Sequence, residues 1–101
     1  MPAMMLIMAK STGNNQENFK KYVAEGPPMM VKYGGRFPVP YSVPQVLEGD
    51  WFGEYVILTE WDSREAALEF WNSAEYQELK KSRVGAIDAQ ILLFDSKAPK
   101  K

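Results

Sequence analysis

The chain has 101 residues, of which 46% are hydrophobic and 25% charged, and a formal net charge of −1. That length suits one domain with one core, and the near-neutral balance gives no long-range attraction to nucleic acid. Histidine and cysteine are both absent, which excludes Ser-His-Asp and Cys-His catalysis, disulfides and thiolate metal sites, and removes the usual haem and zinc ligands. No acidic run has the spacing of a calcium loop, so neither a metal nor another cofactor is expected.

"AMMLIMA", residues 3–9, is apolar on both alternating sides, with Ala3, Met5, Ile7 and Ala9 on one and Met4, Leu6 and Met8 on the other. A strand with one wet face would alternate with polar residues, so this one is expected to be covered on both. It is too short to span a bilayer and has no basic lead, which makes a strand a better reading than a signal or membrane segment. A cytoplasmic location is the default expectation. The polar "KSTGNNQ" then supplies Asn14 or Asn15 as a helix N-cap.

Phe19, Tyr22, Val23, Met29, Met30 and Tyr33 fall within an arc of about 120° on a helix wheel. A helical path over roughly 16–33 is predicted, broken or kinked at Pro27 and Pro28. In "YGGRF", Gly34 or Gly35 supplies the left-handed residue that ends the helix. A strand follows from Arg36 to about Val39, and Pro38, Pro40 and Pro44 assign it to a sheet edge. A short strand is expected near Gln45–Leu47.

"EYVILTEW", residues 54–61, is another strand apolar on both sides: Val56 and Leu58 on one, Tyr55, Ile57, Thr59 and Trp61 on the other. Asp62 with Glu65 reads as a capping-box start for the next helix. Ser73 is placed to cap again, and a second helical run reaches about Val84 before Gly85 ends it. "IDAQILLF" closes the fold as a strand. Asp88 and Gln90 put polar atoms on one of its faces, able to bind a ligand if that face lines a barrel. Residues 97–101, "KAPKK", read as a disordered basic tail after a single domain over 1–96.

The order is strand, helix, strand, strand, helix, strand. It predicts an α+β, ferredoxin-like βαββαβ fold: a four-stranded antiparallel sheet with two broken helices on one face. The second face is apolar as well, and a patch of that kind marks an interaction surface. Burying about 600 Å² of it per subunit would contribute on the order of 15 kcal/mol before entropic costs. Two copies packed sheet to sheet with two-fold symmetry are therefore expected, giving a dimeric α+β barrel.

The segments "KYGGRF", "VLEGDW", "EYVILTEWDSREAALEFWNSAEYQELKKSR" and "DAQILLFD" resemble the family of domains of unknown function numbered 1330, from about Met5 to Asp95. The resemblance implies the dimeric α+β-barrel superfamily, which also holds small monooxygenases, isomerases, cyclases and haem enzymes. The family itself implies no established activity. Its haem-using relatives rely on histidine, which this chain lacks. The proline-rich "FPVPYSVPQ" departs from the more glycine-rich turn of the family.

Candidate chemistry falls on few residues. Arg36, at a strand start, is suited to holding a carboxylate or enolate, or else pairs with Glu48 or Glu60. Glu60, among Val56 and Leu58, is a candidate acid or base, or else half of a structural ion pair. Arg83 follows Tyr76 by seven residues and Leu79 by four, so it lies on or beside the inward stripe, as a ligand contact or as a snorkelling helix-end cation. Tyr22, Tyr33 and Tyr76, with Tyr55, Trp51, Trp61 and Trp71, would wall a pocket for a planar ligand or simply form core. Three functions follow: a metal- and haem-independent enzyme of isomerase, cyclase or oxygenase type, with a pocket between sheet and helices; a non-catalytic binder of a small apolar or acidic metabolite; or a structural homodimer.

Overall fold

The computed structural model describes residues 2–96; the expected basic tail lies outside them. Four strands form one antiparallel sheet: β1 (Ala3–Ser11), β2 (Arg36–Ser42), β3 (Tyr55–Trp61) and β4 (Ile87–Asp95), in the order β2-β3-β1-β4. Between them run α1 (Gln16–Lys32), α2 (Arg64–Trp71) and α3 (Ala74–Lys80), the last followed by a 3-10 turn at Lys81–Arg83. This is the expected ferredoxin-like arrangement.

Register explains the layering. Ala3, Met5, Ile7 and Ala9 of β1 stand beside Trp61, Thr59, Ile57 and Tyr55 of β3, and Met5, Ile7 and Ala9 stand beside Leu93, Ile91 and Ala89 of β4. The helices cover this face, where Ala3, Met5, Ile7, Ala9, Thr59 and Trp61 are buried. The opposite face carries Met4, Leu6, Met8, Val56, Leu58, Leu92 and Phe94, none of which is fully buried. It is the second apolar face foreseen in the sequence.

The helical layer differs from expectation in detail. Helix α1 runs unbroken, with both prolines inside it and exposed, at the cost of two backbone donors. The second helical segment is interrupted between α2 and α3, as expected, but the run expected to reach about Val84 ends as α-helix at Lys80 and finishes as the 3-10 turn. Ser63, not Asp62, caps α2, accepting from Ala66 N at 3.1 Å, because Asp62 is engaged by Arg36 instead. Ser73 caps α3 as expected, accepting from Tyr76 N. Asn15 is the N-cap of α1, but its side chain makes no capping bond. No strand forms at Gln45–Leu47, where the chain is irregular. Strand β2 reaches Ser42, beyond Val39, because register shifts between Arg36, Val39 and Ser42 place Pro38 and Pro40 off the paired positions.

The twin glycines serve two purposes. Gly34 takes φ +98° and donates to Val31 O, while Gly35 N donates to Met30 O at 2.8 Å, the paired bonds of a Schellman motif. Gly35 instead lies flat against Trp61: a Cβ there would stand 3.0 Å from the indole ring and 3.1 Å from Met30 O. Neither neighbour has room to retreat, since Trp61 is fully buried. Gly35→Ala is expected to destabilise the fold by about 1–3 kcal/mol, read as a lower urea midpoint with unchanged slope.

Candidate functional site

A cavity of about 890 Å³ opens between α1 and the helix-side face of the sheet. Its floor is Ile7, Ala9, Ile57, Ala89 and Ile91, and its roof is Phe19, Tyr22, Gly26 and Met30 of α1. The irregular stretch after β2 brings Val43, Val46 and Trp51 to its side. Gly53 makes space for Trp51, since a Cβ there would stand 2.7 Å from the indole. The lining is mainly apolar, as ligand sites commonly are. Its polar groups are Ser11, Tyr22, Tyr41, Trp51, Glu54, Tyr55 and Arg83.

Tyr22 and Tyr76 share a hydrogen bond of 2.7 Å between their hydroxyls. Tyr76 is fully buried, so its phenol anchors Tyr22 from behind rather than meeting a ligand. Burial pushes the Tyr22 phenol far above its ordinary pKa, Tyr76 adds to the effect, and Arg83 opposes it. The Tyr55 phenol is raised too, first by burial, and again Arg83 opposes. Both stay protonated at neutral pH and so are suited to donating a hydrogen bond rather than to acting as bases. Glu54 accepts from Ser11 N at 2.8 Å at the exposed rim.

Arg83 comes from the 3-10 turn. Its guanidinium carbon lies 5.8 Å from the centre of the Tyr22 ring, within cation-π range. Its Nε is buried and, among the described residues, has no hydrogen-bond partner.

The other sequence candidates lie elsewhere. Arg36 and Glu60 are opposite each other in the β2-β3 register, on the open face of the sheet and not among the cavity residues. Arg36 Nε donates to Glu60 at 3.3 Å and Nη1 to Asp62 at 2.9 Å, and these bonds, Asp62 first, hold its proton more firmly. The expectation that this pair would share the pocket between sheet and helices is therefore corrected: strand parity turns it to the far side. Asp88 and Gln90 share that open side and are exposed. Tyr33 also misses the cavity. Its ring meets Phe70 edge-on at 5.9 Å and its hydroxyl donates to Glu75, which is held by Lys32 at 2.7 Å.

Of the expected ligand contacts and pocket walls, the cavity thus gathers Tyr22, Trp51, Tyr55 and Arg83, and leaves out Tyr33, Arg36, Trp61, Trp71 and Tyr76. It adds Phe19, Phe37 and Glu54, which the sequence reading did not single out as site residues. Phe19 was visible on the inward arc of α1, and Phe37 as the neighbour of Arg36 on the alternate side of an edge strand. Among the described residues no three Asp or Glu side chains converge as a metal site, and no helix is long and apolar enough to cross a membrane.

No curated protein matches the sequence. Solved structures do match its fold. A protein of unknown function from Rhodopseudomonas palustris superposes with a TM-score of 0.70 at 19% identity, over 97% of this chain and 84% of that one. SnoaB, a cofactor-independent oxygenase from Streptomyces nogalater, gives 0.67 at 13% identity, over 97% and 95%. A protein from Jannaschia sp. CCS1, described as dimeric, ferredoxin-like and of unknown function, gives 0.69 at 10%, over 94% and 99%. Residues 5–96 match the model of a domain of unknown function, DUF1330, and the chain belongs to that family.

Proposed function

We propose that this protein works as a homodimer joined through the open faces of its sheets. Each subunit takes a planar, mostly apolar metabolite into the cavity under α1 and transforms it without metal or haem, as an isomerase, cyclase or oxygenase. The observation that carries this reading is the cavity itself: about 890 Å³, walled by aromatic and aliphatic side chains, with a few polar side chains in the lining. A site of that kind suits reactions that pass through an enol or phenol anion, because fixed donors in an apolar surround stabilise developing oxygen charge. The phenols of Tyr22 and Tyr55 are such donors. The fold shared with a cofactor-independent oxygenase supports the class by analogy. On this reading Arg36 and Glu60 serve the dimer face and not the reaction.

The second reading, a non-catalytic binder, is favoured by the shortage of bases. Among the described residues Glu54 is the one carboxylate lining the cavity, and it is tied to Ser11 N. The two readings separate in one experiment. Aromatic phenols and enol-lactones are incubated with the purified protein and a chelator, while oxygen uptake and product masses are followed. Turnover that survives chelation supports the enzyme. Saturable binding across the panel with no product makes the protein a carrier, and neither binding nor turnover removes the cavity from function.

A further inference from the structure

We infer that Arg83 is the anion-recognition residue of the cavity, and that the ligand is a planar molecule presenting one anionic oxygen, such as a carboxylate or enolate, to the Arg83 guanidinium. The inference rests on the cavity being a ligand site. It comes from a contrast among the three arginines of the chain. Arg36 is engaged by Glu60 and Asp62, and Arg64 by Asp95 at 2.9 Å. Arg83 lines the cavity, yet its Nε is buried without a partner among the described residues. A buried donor of a charged group is costly to leave unmade. The fold nevertheless keeps it, beside the Tyr22 ring at 5.8 Å.

The surround says what would satisfy it. The cavity's only carboxylate among the described residues, Glu54, is already bonded to Ser11 N at the exposed rim, so no described lining acid stands assigned to Arg83. An incoming oxygen anion would accept from the guanidinium in a charge-assisted bond. The rings of Phe19, Tyr22, Trp51 and Tyr55 would then take the flat body of the same molecule. A ligand with charge at one end and an aromatic remainder meets both demands, whereas a neutral hydrocarbon leaves the guanidinium without a counter-ion.

The test compares two probes of one shape, naphthalene-2-carboxylate and naphthalene-2-carboxamide, by calorimetric titration of the intact protein. The carboxylate is expected to bind at least about tenfold more tightly, the ratio one charge-assisted bond supplies. Arg83→Gln is expected to abolish that preference by weakening the carboxylate alone, and Arg83→Lys to restore part of it. Equal affinities in the parent protein, or a preference that persists in Arg83→Gln, would overturn the assignment while leaving the cavity as a ligand site. Failure of both probes to bind the parent would overturn the cavity reading and this assignment together. The comparison within the parent protein decides the matter even if a variant does not fold.

Discussion

Leu6→Glu is expected to sediment as a single 11.5 kDa chain at micromolar concentration, and the parent protein at twice that mass. Leu6 sits at the middle of the open sheet face, flanked in register by Leu58 on β3 and Leu92 on β4. In the proposed dimer a two-fold axis brings this region of one subunit against the same region of the other. A glutamate there enters twice, without a cationic partner at the centre of the face. Desolvating two unpaired carboxylates is worth several kcal/mol against association, enough to shift the dimer constant by more than a thousandfold. A parent protein that sediments as a monomer would refute the proposed dimer, and so would a Leu6→Glu protein that remains paired.

Trp61→Ala is expected to lower stability by about 3–5 kcal/mol, a large share of what a domain this size possesses. Trp61 is fully buried. It stacks on Phe70 at 5.3 Å, and Phe70 continues to Tyr76 at 4.5 Å. Its indole N–H donates to Thr59 Oγ1 at 2.9 Å, and Thr59 donates onward to Met5 O. Removing the ring opens a void against Gly35 and leaves a buried hydroxyl short of one partner. The damage also travels to the cavity, because Tyr76 fixes Tyr22 from behind. Chemical denaturation with parallel probe titration would measure both effects, and a loss below 1 kcal/mol would contradict the packing described.

The sequence was informative wherever one chemical pattern admitted one geometry. Two strands apolar on both sides, a glycine pair after a helix, prolines in a short strand and Ser73 before a helical run all led to the observed elements. The side of the sheet that faces the helices was not legible, for the same reason that a sheet-to-sheet dimer is expected. When both faces are apolar, alternation separates Val56, Leu58 and Glu60 from Thr59 and Trp61 but does not say which set lies inside. Arg36 and Glu60 were thereby assigned to a pocket on the wrong side of the sheet. Arg83 was legible because helical spacing from Tyr76 and Leu79 does not depend on that choice. The cavity wall from Val43 to Gly53 was not, since an irregular segment has no period to read.

Strand β2 bears on how the molecule behaves when crowded. An unguarded sheet margin invites strands from neighbouring chains and can seed fibrils. Two of the seven residues of this margin are prolines with no amide hydrogen to lend, and its spacing slips twice against β3. A foreign strand laid alongside would find an interrupted template, so growth of the sheet in that direction is blocked at the level of the backbone.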